Sequence, residues 1–394
     1  LDLHCTHSAM GNAYSWFVTN NVRTTWESWG CEMSDGMGGF AVVANDGLAE
    51  DWHARETNIT VVKSSGDISM PDDPCGATGG DGRQTAWGCV ASNSLCVGGL
   101  TPSNDQSGIS SDRNVVDDLS LFPAMCVTDR EDPDVVALSD AVTVMGFLST
   151  TDWSATKTGT SFSAPTMAAL AALLKQKCNT NLSPLRERAI IMTSAWFFDA
   201  GQPFPTLGAA TPPTDYFVGT GGPTADNALL WCGLTSGSLV VGDVEQDIEY
   251  GSGTPADTGM DQPASGKPDS NPTNWKYSNV TSVSLSAGDR IRATVTWNTC
   301  ADGMHTPTII GTDIDLWLCK PAVPPSTTST CIASSRSLAN NWEAFDQTIS
   351  SSQAGTYNIR VGYDTTRSGC GDNPGGEVSR VAWVRGPAAD FTAF

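Results

Sequence analysis

The stretch TKTGTSFSAPTMAALAALLKQK, residues 156–177, constrains the fold more than any other, because a polar run changes there into an apolar segment. Pro165 suits the first turn of a helix, where its missing N–H leaves no hydrogen bond unmade. Ser161 would then lie on a tight turn at the start of the helix, where free N–H groups and the positive end of the helix dipole favour negative charge. Such a serine is either a nucleophile beside an oxyanion site or a polar cap on a core helix, and the local pattern leaves both open. Apolar residues occupy nearly every side of the helix, which predicts that it is buried: Met167, Ala168, Leu170, Ala171, Leu173 and Leu174.

The hydrophobic pattern divides the chain into two regions. Up to residue 242, short apolar strands alternate with helices, which predicts an α/β domain with a mostly parallel sheet sandwiched by helices. Segment 249–274 is rich in Gly, Pro, Ser and Asp, a composition typical of linkers and long surface loops. From about residue 279, short alternating strands are separated by turn residues, as in an all-β sandwich or jelly roll. We therefore predict two domains, 1–242 and 243–394.

Charge and hydropathy exclude several classes of partner. The chain of 394 residues carries 21 Lys and Arg against 43 Asp and Glu, a net charge of -22. This argues against nucleic acid and anionic membrane surfaces, because both attract basic patches. No apolar run approaches the ~20 residues of a membrane-spanning helix. The chain opens on Leu1 without a signal peptide, so we expect a processed or partial chain.

Cysteine usage indicates the compartment. Twelve cysteines are spread from Cys5 to Cys370, and none shows the C-x-x-C spacing of zinc or redox sites. An even number without that spacing is typical of an extracellular protein with several disulfides. We predict that most of them are bonded, and that four pair inside the C-terminal domain: Cys300, Cys319, Cys331 and Cys370.

Several segments resemble the subtilisin-like serine proteases, the subtilases. GTSFSAP resembles their serine motif Gly-Thr-Ser-x-Ala-x-Pro, with Ser163 in place of the usual alanine. Other landmarks follow in the expected order, among them ITVVKSSGD (59–67), DPDVVAL (132–138) and RERAIIMTSA (186–195). The C-terminal strands are similar to the β-sandwich appended to some secreted subtilases. The resemblance implies a secreted serine endopeptidase with Ser161 as its nucleophile and a protein or peptide as substrate.

The resemblance also implies partners for Ser161. HCTHSAMGNA resembles the histidine helix of the family, which makes His4 the candidate base and His7 its structural companion. A competing register aligns NAYSWFVTNNV with the helix downstream of the histidine and places the true histidine outside this chain. No aspartate stands at the family's distance before His4, so the triad aspartate would come from an upstream fragment or is lost. The Ser161 amide would supply one oxyanion donor.

Asp67 departs from the family, which usually has asparagine at this place in the oxyanion hole. An ionised carboxylate would repel the oxyanion, whereas a neutral one with a raised pKa could donate to it. An aspartate at this place in SSGD also resembles the site of the sedolisins, which work in acid with Ser, Glu and Asp. The acidic residues on the preceding helix-like segment, Glu50, Asp51 and Glu56, are poor candidates for the Glu and Asp of such a site. The two patterns predict opposite pH behaviour, because a histidine base fails below its pKa of about 6.5.

Two functional classes remain open on the sequence. One is the active endopeptidase, and the other is a catalytically incomplete subtilase that serves as an extracellular structural, adhesive or filament-forming subunit. In both cases we expect an N-terminal fragment or a neighbouring subunit to complete the sheet, because a sheet without its aspartate strand leaves backbone groups unpaired. No cofactor is expected to be required. Asp313 and Asp315 in TDIDLW could hold a structural Ca²⁺, although turn-forming aspartates explain the motif equally well.

Overall fold

The structure is a computed structural model that describes fifteen parts of the chain. The described residues are 7–27, 50–66, 89, 91, 93–101, 133–144, 155–178, 182–196, 219–234, 238–248, 275–298, 314–321, 331–335, 341–364 and 377–391.

Among the described residues, the first region is an α/β unit built on a four-stranded parallel sheet in the order β1-β2-β3-β4. Two short antiparallel pairs, β5-β6 and β7-β8, stand beside it. A 3-10 turn at Leu229–Cys232 closes the region. Its helices and strands are α1 (His7–Thr19), β1 (Thr24–Glu27), α2 (50–57), β2 (Thr60–Ser64), β3 (Leu95–Leu100), β4 (Val135–Leu138), β5 (Val142–Val144), β6 (Ala155–Lys157), α3 (Thr160–Lys177), α4 (Pro184–Thr193), β7 (Ala195–Trp196), β8 (Gly222–Pro223) and α5 (Ala225–Ala228).

Helix α3 is the buried helix that the sequence predicts. It packs against β2, β3 and β4, and its apolar side chains share one core with those strands. All of β2 and β3 is buried, which explains why both strands read as apolar runs rather than alternating patterns. The predicted parallel sheet with packed helices is therefore confirmed.

In the second region, the described residues form two four-stranded antiparallel sheets, β10-β15-β12-β13 and β14-β11-β16-β9. Side chains from both sheets form a single hydrophobic core, which is the packing expected of two sheets that face each other. The all-β prediction for this part is confirmed. A 3-10 turn at Ala388–Phe391 follows the last strand, and the strands are β9 (Val240–Ile248), β10 (Trp275–Leu285), β11 (Asp289–Trp297), β12 (Ile314–Cys319), β13 (Cys331–Ser335), β14 (Trp342–Thr348), β15 (Gly355–Asp364) and β16 (Glu377–Pro387).

The two regions are joined through α4 and β9. Strand β9 pairs with β16, so the predicted boundary between residues 242 and 243 falls inside a strand of the second region, and the division into domains stays a prediction. Helix α4 packs on β11 and β16. The Thr296 hydroxyl donates to the Leu185 carbonyl at 3.0 Å, and Arg186 pairs with Asp243 at 2.7 Å. Three side chains of the second region lie in the core of the first: Trp342, Ala344 and Ala382.

Three disulfides connect the described cysteines: Cys89–Cys96, Cys178–Cys232 and Cys319–Cys331. The last lies between neighbouring strands of the second region, so these two cysteines pair inside that region as predicted. Cys300 and Cys370 lie outside the described residues, and their pairing stays a prediction. Among the helices that the structure describes, none is long and apolar enough to cross a membrane.

Candidate active site

Ser161 lies at the start of α3, as its second residue, and is partly buried. The helix begins after Gly159, whose φ of 148° is rarely adopted by residues with a side chain. The Gly159 N–H donates to the Ser139 carbonyl at 3.1 Å, and the Phe162 N–H donates back to the Gly159 carbonyl at 3.0 Å. The predicted turn before a buried helix is therefore present, and it presents the first N–H groups of α3 beside the serine.

The end of β2 reaches the same point. Gly66 follows β2 with a φ of 107°, and its N–H donates to the Thr160 Oγ1 at 3.2 Å. The residue before Asp67 thus contacts the residue before Ser161, which is the neighbourhood that the order of SSGD and GTSFSAP predicts. Asp67 itself lies outside the described residues, so its distance from Ser161 stays a prediction.

The carboxyl ends of β3 and β4 complete this edge of the sheet. Ser139 follows β4, its N–H donates to the Leu100 carbonyl at the end of β3 at 2.9 Å, and its carbonyl accepts from Gly159. Three parallel strands therefore end around the start of α3. In open α/β sheets, ligands bind at this carboxyl edge.

Ser163 stands where the family usually has alanine, and it is fully buried. Its hydroxyl donates to the Thr160 carbonyl at 2.8 Å, so the added oxygen has a hydrogen-bond partner within the first turn. The substitution is therefore compatible with the turn that holds Ser161.

A buried ion pair fixes the far end of α3 to the sheet. Lys175 lies 2.8 Å from Glu187 of α4, and the Thr60 hydroxyl donates to the same carboxylate. Burial raises the pKa of Glu187 to about 7, against the opposing effect of Lys175. The contact links α3, α4 and β2 behind the candidate nucleophile.

A second buried group of ionisable side chains lies on the other face of the sheet. Lys63 follows Thr60 by three positions, so its side chain points to the face that α1 and α2 cover. It lies 3.2 Å from Glu27 and 3.4 Å from Glu50, and the Tyr14 hydroxyl donates to Glu27 at 2.8 Å. We call these four residues the lysine cluster. Glu27 and Lys63 were not predicted from the sequence, although a lysine inside the apolar strand TVVKS was a signal of a buried charge with partners.

Two of the acidic residues considered as sedolisin-like candidates, Glu50 and Asp51, make polar contacts with neighbouring elements. Glu50 belongs to the lysine cluster, and Asp51 accepts from the Asn93 N–H at 2.5 Å. Burial, followed by the nearby Glu27, raises the pKa of Glu50 to about 8, while Lys63 acts in the opposite direction. Both side chains project from α2 and are buried, Glu50 against Lys63 of β2 and Asp51 against Asn93 before β3.

The remaining sequence-based candidates are only partly placed. His4, Asp67 and Asp313 lie outside the described residues, and His7 is the first residue of α1. Asp315 is fully buried in β12. Within the described parts of the chain, no group of three or more histidine, cysteine, aspartate or glutamate side chains could hold a metal ion. The calcium site at Asp313 and Asp315 stays a prediction.

Comparison with known proteins agrees with the motif order. The profile of the subtilase family, Peptidase_S8, matches residues 2–253. A search of curated proteins gave no match. Among solved structures, the chain is similar to the prenylagaramide maturation protease PagA, with 16% identity over 60% of this chain and 71% of that chain and a TM-score of 0.39. It is also similar to a lanthipeptide protease, with 16% identity over 57% and 66% and a TM-score of 0.38.

A third similar structure is the PatG macrocyclase in complex with a peptide, with 12% identity over 58% of this chain and 57% of that chain and a TM-score of 0.38. Similarities with such low identities and TM-scores give no information about substrates. The family match covers more than half of the chain and includes the serine motif, the β2 strand and the helices around them. The chain therefore belongs to the subtilase family.

Proposed function

We propose that this chain is a secreted serine endopeptidase in which Ser161 attacks the peptide carbonyl. The hydrogen bond from Gly66 to Thr160 carries the proposal, because it joins the strand that leads to the oxyanion residue with the turn that holds the serine. A serine that only caps a core helix would not require a hydrogen bond between its turn and the end of a neighbouring strand. The N–H of Ser161 at the start of α3 supports an oxyanion site beside the hydroxyl.

The chemistry needs three further groups. His4 takes the proton from the Ser161 hydroxyl as the serine attacks, and returns it to the leaving amine. An aspartate from an upstream segment orients His4. Asp67 serves the oxyanion only when its carboxyl group is protonated, since an ionised carboxylate would repel the developing charge.

The edge of β1 supports a partner that completes the sheet. Within the described residues, β1 pairs on one side only, with β2. Trp26 of β1 is 59% exposed and Trp16 of α1 is 58% exposed, so apolar surface lies open next to this edge. We propose that an N-terminal fragment carrying the aspartate strand pairs here, with a segment of a neighbouring subunit as the alternative. The three disulfides are compatible with an extracellular location.

Labelling with a fluorophosphonate probe tests the nucleophile. We expect the wild-type protein to be labelled and to hydrolyse an unstructured protein substrate, and the variant Ser161→Ala to do neither. The matched control is Ser163→Ala, which restores the usual residue of the family two positions away and should keep the activity. Equal labelling of the wild type and Ser161→Ala would refute the assignment.

The dependence of activity on pH separates the two kinds of base. With His4 as the base, kcat/KM falls below about pH 6.5, whereas a sedolisin-like carboxylate base gives rising activity there. A folded protein that is not labelled at any pH would favour the incomplete subtilase that acts as a structural subunit. Native mass measurement tests the partner, since a stable 41.4 kDa monomer without a bound peptide would contradict strand completion.

A further inference from the structure

An Asn-x-Thr triplet joins α2 to β2, at Asn58, Ile59 and Thr60. This triplet is the acceptor pattern for N-linked glycosylation, in which a sugar is attached to the asparagine amide. Two further triplets of this kind begin at Asn181 and Asn279. The pattern also arises by chance in a chain rich in serine and threonine, so the surroundings of each asparagine decide whether it can carry a sugar.

Asn58 lies in the short connection between the end of α2 and the start of β2, and it is exposed. Its φ of 56° is in the left-handed region, which asparagine tolerates better than most residues with a side chain. A residue in this conformation is a common end of a helix. Ile59, the next residue, is 1% exposed and packs in a small core with Tyr14 and Val61. Asn58 is therefore held at the surface by a connection whose next residue is anchored in the core.

The connection stands at the amino edge of the parallel sheet. Strand β2 runs from Thr60 to Ser64, and the chain after it reaches Gly66 and the turn that holds Ser161. At about 3.3 Å per residue, the strand separates Asn58 from that end by roughly 20 Å. A sugar on Asn58 therefore leaves the carboxyl edge of the sheet, with Ser161, open to a substrate.

Thr60, the hydroxyl residue of the triplet, is only 3% exposed in the folded protein. Its hydroxyl donates to the Glu187 carboxylate and accepts from the Lys175 Nζ at 3.1 Å. The transferase recognises the threonine of the triplet as well as the asparagine. Because the fold buries this threonine and engages its hydroxyl, a sugar has to be attached before β2 joins the sheet.

We propose that Asn58 is an N-glycosylation site that is modified while the chain is unfolded, on entry into the secretory compartment. The donor is an oligosaccharide joined through a diphosphate to a polyprenyl lipid. The Asn58 Nδ2 loses one proton and forms a bond to C1 of the first sugar, while the bond from C1 to the diphosphate breaks. The lipid diphosphate leaves with the electron pair of that bond, and the released proton balances its added charge. The proposal rests on the secretion proposed above and does not depend on Ser161.

Synthesis in the presence of microsomes tests the site. The full chain carries an appended signal sequence, and only chains that are protected from added protease are scored, so that each scored chain has entered the lumen. We expect the wild type to lose mass on treatment with peptide N-glycosidase, and Asn58→Gly to carry one glycan fewer than the wild type. Glycine keeps the left-handed backbone without the acceptor amide. Equal numbers of glycans on the wild type and on Asn58→Gly would overturn the proposal.

Variants of Thr60 test recognition through the triplet. Thr60→Ser keeps the triplet and the hydroxyl that meets Glu187, so the glycan on Asn58 should be retained. Thr60→Val removes the hydroxyl and should remove this glycan. The matched control is Thr57→Val, just before the triplet, where the lost hydroxyl donates to the His53 carbonyl at 2.5 Å; it should keep the glycan. A glycan that persists on Asn58 in Thr60→Val would contradict the assignment.

The timing of the transfer is tested with purified oligosaccharyltransferase and its lipid-linked donor. The reduced and carboxymethylated chain should be modified at Asn58, whereas the folded, unglycosylated protein should not. Equal modification of both would contradict the role given to the burial of Thr60.

The glycan and the peptidase activity can fail separately. Fluorophosphonate labelling of Ser161 should be the same in Asn58→Gly and in the wild type, because the two residues lie at opposite edges of the sheet. A labelled protein without a sugar on Asn58 would strike the glycosylation site alone, and a glycosylated protein that is never labelled would strike the peptidase alone. Peptide mapping of the protein from its natural source completes the test, since an unmodified Asn58 there would overturn the proposal.

Discussion

Two groups of closely packed ionisable side chains, one in each region, have opposite compositions. In the lysine cluster, Lys63 lies between the carboxylates of Glu27 and Glu50 at 3.2 and 3.4 Å. In the second region, Asp346 lies between Arg290 and Arg292, each with an atom within 2.6 Å, and we call these three residues the arginine cluster. Each cluster pairs one charge of one sign with two of the other, in surroundings that exclude most water.

The clusters differ in how readily their side chains change charge. Burial and Glu27 raise the pKa of Glu50 to about 8, so this carboxyl group holds a proton at neutral pH and the lysine cluster becomes neutral. Burial lowers the pKa of Arg292, but Asp346 opposes the effect, and arginine starts from a value too high to lose its proton. A glutamate can therefore lose its charge by taking up a proton in such a site, whereas an arginine keeps its charge.

Asp346→Asn should have the largest effect on stability. It removes the carboxylate that both guanidinium groups bind, and we expect a loss of about 3–5 kcal/mol in the free energy of unfolding. Burial by itself raises the pKa of Asp346, yet Arg292 and Arg290 outweigh it and hold the pKa below its ordinary value, which reflects the strength of this pairing. Urea unfolding measures the loss. The control is Asp390→Asn, at an exposed contact with Ser238, which should change stability by less than about 0.5 kcal/mol.

Lys63→Met should have a smaller effect than Asp346→Asn, because carboxyl groups can take up protons where arginine cannot release them. Burial lowers the pKa of Lys63, but Glu50 and Glu27 outweigh it and raise the pKa, so the lysine is charged and paired. We expect a loss of about 2–4 kcal/mol at about pH 8 and a smaller loss at about pH 6. Lys157→Met, at an exposed lysine, is the control. A loss larger than that of Asp346→Asn would contradict the comparison.

Glu50→Gln should change how stability depends on pH. Glu50 has a folded pKa of about 8 against an ordinary value of 4.5, so the folded protein holds a proton that the unfolded chain releases. The stability that Glu50 contributes is therefore complete below about pH 4.5 and is lost as the pH rises to about 8. Glutamine mimics the protonated carboxyl group, which faces Glu27 and Lys63, with Asp51 and Tyr14 nearby.

The measurement is urea unfolding of both proteins across this range. We expect the free energy of unfolding of Glu50→Gln to rise relative to that of the wild type as the pH rises. The variant should be more stable by on the order of 1–2 kcal/mol at about pH 8.5. A constant difference between the two proteins would show that Glu50 releases its proton at an ordinary pH.

Phe391→Leu should have the smallest effect. The Arg290 guanidinium lies 5.4 Å from the centre of the Phe391 ring, and leucine keeps an apolar side chain without the cation–π attraction. We expect a loss of about 0.5–1 kcal/mol, which should shrink when Phe391→Leu is combined with Arg290→Gln. Equal losses in both backgrounds would mean that the ring acts only through packing.

Local structure and the candidate nucleophile could be predicted from the amino-acid sequence alone. Polar residues before Pro165 and apolar residues after it predict a helix start at a buried helix, because capping and burial depend on neighbours in the chain. Alternating strands predict the all-β region for the same reason. The order of SSGD and GTSFSAP also placed the end of β2 beside Ser161, through resemblance to the family.

The contacts between charges and the junction of the two regions depended on the packing of the whole chain. Glu27 contacts Lys63 because register pairs these two residues across parallel strands, and a register cannot be read from either strand alone. Arg292 faces Asp346 through the pairing of β11 with β14, some fifty residues further along the chain. Strand β9 belongs to the second region because it pairs with β16, although the hydrophobic pattern of the sequence predicted a domain boundary within this strand. Local propensity acts within a few residues, whereas the energies of buried charges depend on distances that only the packed chain sets.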